Sequence, residues 1–265
     1  MELTTDRRQT PEFSAPDRTA VGPILLACDG SPASAAPFAV ARQLAERAGA
    51  RLVVALEPLS LGVPPFDPSD GATDHHGSHA VPLVVTGHPH HGAMERMTRG
   101  ETPIGIARTA RVPVLSIPPT MQRLPRCVVV GVGLGDAGTR IGAISHALFG
   151  DAVAIHLVHV RTAALPRHDR EVREEDHAEE ADGERAFRHV LGTWRLPADV
   201  PVEMHERVGR PGDELLAAAR TLEADLLVVG LSLRADGPHL PHRSLASRLY
   251  REWPGAVLLV PVNPS

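Results

Sequence analysis

The sequence contains no lysine, so each of its 27 basic residues is an arginine. A P-loop lysine, a kinase lysine and a Schiff-base lysine are therefore excluded, together with the large enzyme classes that depend on them. The chain has only two cysteines, and aromatic residues make up 3% of it. Because Cys28 and Cys127 each lie in an apolar run, we expect buried, reduced thiols rather than a disulfide.

Long apolar runs and a strong basic charge are missing as well. No stretch approaches the roughly 18 apolar residues of a membrane span, and the charged first twenty residues do not resemble a signal peptide. The net charge of -5 leaves no basic stripe for nucleic acid. We therefore expect a cytoplasmic protein without membrane or nucleic-acid partners, and a loosely ordered arm over residues 1–20.

An internal repeat organises the rest of the 265 residues. Residues 82–118 align without a gap with residues 225–261, at a constant offset of 143. Residues 24–34 align with residues 128–138 at an offset of 104, so the second copy is longer by 39 residues. The sequence thus predicts two copies of one unit, a shortened one over 21–120 and a full one over 126–263.

The additional residues of the second copy have their own pattern. They contain a charged helical segment over 171–191, a strand candidate over 200–208 and a helix over 211–223. At the corresponding place the first copy has only a Gly-, Pro- and His-rich segment over 59–81, which is typical of a loop. The charge spacing of the 171–191 segment favours a solvated helix face over a partner-binding region.

Each copy alternates short apolar runs with helical patterns. This alternation predicts an α/β fold of two doubly wound parallel-sheet units. Ser31 or Ser34 is the expected N-cap of the first helix, and Gly49 its end. Ligands of such sheets bind at the carboxyl ends of the strands, so the segments after Ala27, Gly87, Val132 and Gly230 are the candidate site.

Short motifs at these strand ends resemble the universal stress protein family. They are the first turn at 28–31, the strand ends at 85–87 and 228–230, and the closing segments at 113–118 and 256–261. The likeness covers nearly all of 22–262. It implies a HUP-like fold, similar to the adenine-nucleotide alpha-hydrolases, and a non-enzymatic stress-response role. It also implies pairing of the two units within the chain through 112–117 and 256–260, and allows a homodimer.

Members of that family that bind ATP carry the motif G-x2-G-x9-G-[ST], in which glycines and a helix N-terminus form an anion cradle. The first copy reads Gly87, His90, Gly100 and Glu101 at the four motif positions. Glu101 would place a carboxylate against phosphate, and Thr102 follows one residue late. The resemblance therefore implies a degenerate site for ATP or another adenine nucleotide in this copy.

The second copy reads Gly230, Leu233, Arg243 and Ser244. Leu233 removes backbone access, whereas Arg243 could pair with a phosphate. The resemblance thus implies a second degenerate site. The tentative nucleotide-binding residues are Ala27, Cys28, Asp29, Gly87, His90, Gly100, Glu101 and Thr102 in the first copy, and Val132, Gly133, Gly230, Leu233, Arg243 and Ser244 in the second.

The sequence contains two other candidate ligand motifs. Gly133, Gly135 and Gly138 form a literal G-x-G-x-x-G, but the strand candidate that follows has no carboxylate over 155–161, which disfavours a dinucleotide. A His-rich loop favours a metal-binding protein as the alternative function, and a ligand-free interaction scaffold is a third. The candidate metal ligands are His75, His76, His79, His88, His90 and His91.

The sequence shows neither a G-x-S-x-G nucleophile motif nor paired carboxylates at strand ends, so no enzyme is predicted.

Overall fold

The computed structural model describes residues 21–28, 30–55, 81–88, 103–133, 148, 154–161, 201–233 and 244–262. A 3-10 turn over Pro32–Ser34 precedes the first helix. The helices of the described part are α1 (Ala35–Ala48), α2 (Pro103–Ala110), α3 (Pro211–Thr221) and α4 (Leu245–Glu252). Its strands are β1 (Val21–Ala27), β2 (Leu52–Ala55), β3 (Val81–Gly87), β4 (Val114–Ile117), β5 (Cys127–Val132), β6 (Ala154–Arg161), β7 (Val202–Val208), β8 (Leu226–Ser232) and β9 (Ala256–Val262).

The strands form one sheet in the order β2-β1-β3-β4-β9-β8-β5-β6-β7. Neighbouring strands are parallel except at the junction of β4 with β9, which is antiparallel. The strand order is symmetric about this junction. Moving away from it, the strands are β4, β3, β1 and β2 on the first side and β9, β8, β5 and β6 on the second. Strand β7 adds an edge to the second side. The predicted α/β fold with a mostly parallel sheet is confirmed.

Helices cover both faces of the sheet, which explains why the central strands are apolar throughout. On one face, Val40 and Leu44 of α1 belong to a buried cluster that includes strand residues such as Leu26. On the other face, helices α2, α3 and α4 pack over strand residues, with Leu215 of α3 and Leu249 of α4 fully or almost fully buried. Both clusters extend across the β4–β9 junction.

The helix ends follow the sequence signals in part. Gly49 has φ 63° directly after α1, so the expected glycine C-cap is confirmed. The expected side-chain N-cap is wrong: Ser34 holds the N-cap position, but neither it nor Ser31 makes a side-chain capping hydrogen bond, because the 3-10 turn already leads the chain into the helix. Helix α3 begins at the predicted Pro211 and ends two residues earlier than expected.

Cys28 and Cys127 are unpaired and half-buried rather than fully buried. Burial raises the pKa of the Cys127 thiol, and the negative charge of Asp225 adds to the effect. The thiol donates to the Leu222 carbonyl oxygen at 3.2 Å. A raised pKa leaves less of the reactive thiolate, so Cys127 has the character of a structural residue.

No helix of the described residues is both long and apolar enough to cross a membrane.

Candidate functional site

On the first side of the junction, the carboxyl ends of β1, β2 and β3 lie side by side. Ala27 is in register with Ala55 of β2 and with Thr86 of β3. The Cys28 amide donates to the Ala55 carbonyl at 3.1 Å, and its Sγ lies 3.8 Å from the same oxygen. Since β1 lies between β2 and β3, the strand order reverses here, which is where doubly wound sheets bind ligands.

The structure thus brings together three predicted site residues: Ala27, Cys28 and Gly87. A Cβ added to Gly87 would meet Pro37 Cγ of α1 at 3.5 Å, an ordinary contact. Beside Gly87, the hydroxyl of Thr86 is buried without a hydrogen-bond partner among the described residues. The other predicted residues of this copy lie outside the described part of the chain: Asp29, His90, Gly100, Glu101 and Thr102.

On the second side, the reversal of strand order falls between β5 and β8. These strands are paired over 128–130 and 226–228, and Val132 and Gly230 follow beyond the paired stretch. A Cβ added to Gly133 would meet no atom within 4 Å among the described residues. Predicted site residues Val132, Gly133 and Gly230 are therefore neighbours at one edge. Arg243 lies outside the described part.

Leu233 does not present a free amide to this edge. Its N–H donates to the Val262 carbonyl at 3.1 Å, which continues the pairing of β8 with β9. A phosphate cradle depends on unpaired backbone N–H groups that point at the anion. The leucine in place of the family's glycine therefore coincides with a backbone donor that the sheet already uses.

Ser244 sits at the N-cap position of α4. Its side-chain oxygen accepts a hydrogen bond from the Ser247 amide at 3.2 Å and lies 2.7 Å from the Ser247 hydroxyl. The hydroxyl that would bind phosphate in the family motif is here a helix cap. Replacement by another capping residue is compatible with this contact, whereas alanine removes it.

Ser244→Ala is expected to lower the free energy of unfolding by about 1 kcal/mol, because one amide of the first turn of α4 loses its acceptor. Urea unfolding followed by circular dichroism measures the change. Ser244→Asn retains a capping oxygen and should remain within about 0.5 kcal/mol of the parent protein. Equal losses in the two variants would contradict the capping role.

The sequence did not predict a polar cluster beneath the first edge. His88 Nδ1 lies 3.3 Å from Ser116 Oγ, and the Ser116 hydroxyl donates to the Tyr250 hydroxyl oxygen at 3.5 Å. The rings of His88 and Tyr250 have centroids 4.6 Å apart and are tilted by 39°. This cluster joins α4 to β4 across the junction. A lone serine in the apolar run of β4 is the signal that could have indicated it.

His88 is the one predicted loop ligand for metal that lies in the described part, and its Nδ1 faces Ser116. The other five, His75, His76, His79, His90 and His91, lie outside it, so the metal-binding loop stays a prediction. Of the three glycines in the dinucleotide pattern only Gly133 is described.

These features define the protein as an α/β protein of the adenine-nucleotide alpha-hydrolase-like fold. The model of the universal stress protein family matches residues 128–261, about half of the chain. The chain belongs to the universal stress protein family. Among curated proteins, none gives a significant sequence match.

Solved structures share the fold over about nine-tenths of the chain. A universal stress protein from Archaeoglobus fulgidus DSM 4304 is 15% identical, with a TM-score of 0.54 over 91% of this chain and 96% of that one. A functionally unknown protein, PA1789 from Pseudomonas aeruginosa PAO1, is 18% identical, with a TM-score of 0.52 over 90% of this chain and 81% of the other. At these identities the likeness concerns the fold.

Proposed function

We propose that this protein is a tandem universal stress protein that acts as a non-enzymatic regulatory module with degenerate adenine-nucleotide sites. The observation that carries the proposal is the hydrogen bond from the Leu233 amide to the Val262 carbonyl, at the motif position where the family has glycine. A site that keeps the family's edge but uses this donor in the sheet is expected to bind ATP weakly. We therefore assign the protein a regulatory role instead of a catalytic one.

The tandem organisation is part of the proposal. Its support is the strand order, in which β1 to β4 match β5, β6, β8 and β9 in relative position. The antiparallel pair β4–β9 has Leu115 opposite Leu258, and both side chains have no exposed surface. A closing strand that would otherwise leave an apolar edge is covered within the same chain.

The absence of catalysis is supported by the burial of the Ser116–His88 contact. A hydroxyl 3.3 Å from an imidazole is the spacing of a nucleophile and its base. Ser116 is, however, completely buried, so a substrate has no access to it. A cytoplasmic location is also proposed, and its support is the two unpaired cysteines.

The double variant Leu233→Gly/Arg243→Gly tests the nucleotide part of the proposal, because it restores the family's glycine pattern before Ser244. Isothermal titration with Mg-ATP should show weak binding or none in the parent protein and at least about tenfold tighter binding in the variant, since phosphate can approach the backbone more closely once the Leu233 and Arg243 side chains are removed. Adding Ser244→Ala to the variant should remove the gain. Micromolar or tighter binding by the parent protein, or no gain in the variant, would contradict the proposal.

A further inference from the structure

Strands β6 and β7 bring two histidines and a glutamate together, far from the strand ends considered above. His156 is the third residue of β6 and is in register with Glu203 of β7. His205 follows two residues after Glu203, so both side chains lie on the same face of the sheet. The three side chains meet in the amino-terminal halves of these strands.

The polar atoms of this cluster form a small triangle. His156 Nδ1 lies 3.1 Å from His205 Nε2 and 3.3 Å from Glu203 Oε2, and the remaining edge, from His205 Nε2 to Glu203 Oε2, is 3.6 Å. Tetrahedral ligands about 2.0–2.1 Å from a zinc ion are separated by about 3.3–3.4 Å. A point about 2.05 Å from all three atoms lies about 0.7 Å out of their plane, which is the height that a tetrahedral site requires.

Hydrogen bonding alone cannot satisfy this triangle while the Glu203 carboxylate is ionised, because its oxygen then only accepts. Each favourable contact needs one donor and one acceptor, and three mutually adjacent atoms that each hold one role cannot alternate between the two. At least one edge therefore joins two lone pairs or two N–H groups. A single cation among the three lone pairs makes all three contacts attractive at once.

We propose that His156, Glu203 and His205 bind one divalent transition-metal ion, with zinc the best match. Two imidazoles and one carboxylate suit zinc and its neighbours, whereas magnesium and calcium favour sites made of oxygen atoms. The nearly buried His156 fixes the position, and the Glu203 side chain, 64% exposed on an edge strand, leaves the site open to solvent. Three protein ligands leave a fourth coordination position for water. This site differs from the His-rich loop and does not depend on nucleotide binding.

The test uses the full-length protein without a histidine tag, stripped of metal with a chelator. Zinc is titrated in competition with a chromophoric chelator, and cobalt is added separately to record the visible absorption of a tetrahedral site. We expect one site of this kind per chain. Glu203→Gln and His205→Gln should each weaken zinc binding at least about tenfold and remove the tetrahedral cobalt spectrum.

Two controls separate this site from other metal binding. Met204→Ala changes an exposed residue between the two β7 ligands and should leave the affinity and spectrum unchanged. Replacement of the other five loop candidates by glutamine (His75, His76, His79, His90 and His91), with His88 kept because it packs against Tyr250, should also retain the tetrahedral cobalt signal. The proposal is wrong if Glu203→Gln and His205→Gln, with unchanged circular dichroism, bind zinc as the parent does, or if the loop variant alone loses the signal.

Discussion

Leu258→Ala is expected to lower the free energy of unfolding by about 2–5 kcal/mol, the range for a fully buried leucine. Leu258 has no exposed surface and lies between Leu115 of β4 and Val228 of β8. Strands on both sides prevent the surroundings from closing the cavity, so the loss should fall in the upper part of this range. Because domains are stable by about 5–15 kcal/mol in total, the variant should unfold at a markedly lower temperature.

Urea unfolding monitored by circular dichroism measures this loss. The control is Met204→Ala on the edge strand β7, because the Met204 side chain is exposed. We expect it to change the free energy of unfolding by no more than about 0.5 kcal/mol. A double-mutant cycle with Leu115→Ala should give a coupling energy of about 0.5–3 kcal/mol, because the two side chains are cross-strand partners. A loss below about 1 kcal/mol for Leu258→Ala would contradict the buried junction described here.

Stability is also expected to fall as the pH rises above about 10, because Tyr250 resists ionisation in the folded protein. Burial raises the pKa of the Tyr250 hydroxyl well above its ordinary value, and the hydrogen bond from Ser116 offsets this only in part. Above the ordinary pKa the unfolded chain releases the phenolic proton while the folded chain keeps it. The folded state then binds more protons, so it loses up to about 1.4 kcal/mol per pH unit.

The composition makes this measurement unusually direct. Tyr250 is the only tyrosine, and without lysine the chain has no amine side chain that titrates near pH 10. Tyrosinate absorbance near 295 nm should therefore rise at higher pH in the folded than in the urea-unfolded protein. Tyr250→Phe should lose this part of the pH dependence of stability, whereas the contribution of Cys127 remains. Superimposable titrations of the folded and unfolded protein would disprove the burial of the hydroxyl.

Sequence patterns predicted the fold well where the signal was local. Continuous apolar runs indicated β5, β8 and β9 because strands buried on both faces need apolar side chains throughout. Gly49 marked the end of α1 because glycine adopts positive φ without strain. The strand-end rule likewise placed Ala27, Gly87, Val132 and Gly230 at the two edges where the strand order reverses.

Contacts between distant residues could not be predicted in this way. Ser116 and Tyr250 are 134 residues apart, and His156 and His205 are 49 residues apart. Their proximity depends on strand register and on which helix covers which face, and neither leaves a local pattern in the sequence. The histidines over 75–91 are visible as a cluster in the sequence because they lie close together along the chain. The triangle on β6 and β7 forms only through the register of the two strands.

The antiparallel pairing of β4 with β9 has a directional consequence. Strands on its two sides run head to tail, so the crevice at the carboxyl ends of β1 and β3 and that at the carboxyl ends of β5 and β8 open at opposite poles of the sheet. One ligand cannot bridge the two crevices. Among the described residues, the strands of the shared sheet connect the two crevices, and the His156 triangle lies toward the pole of the first crevice, not of the second.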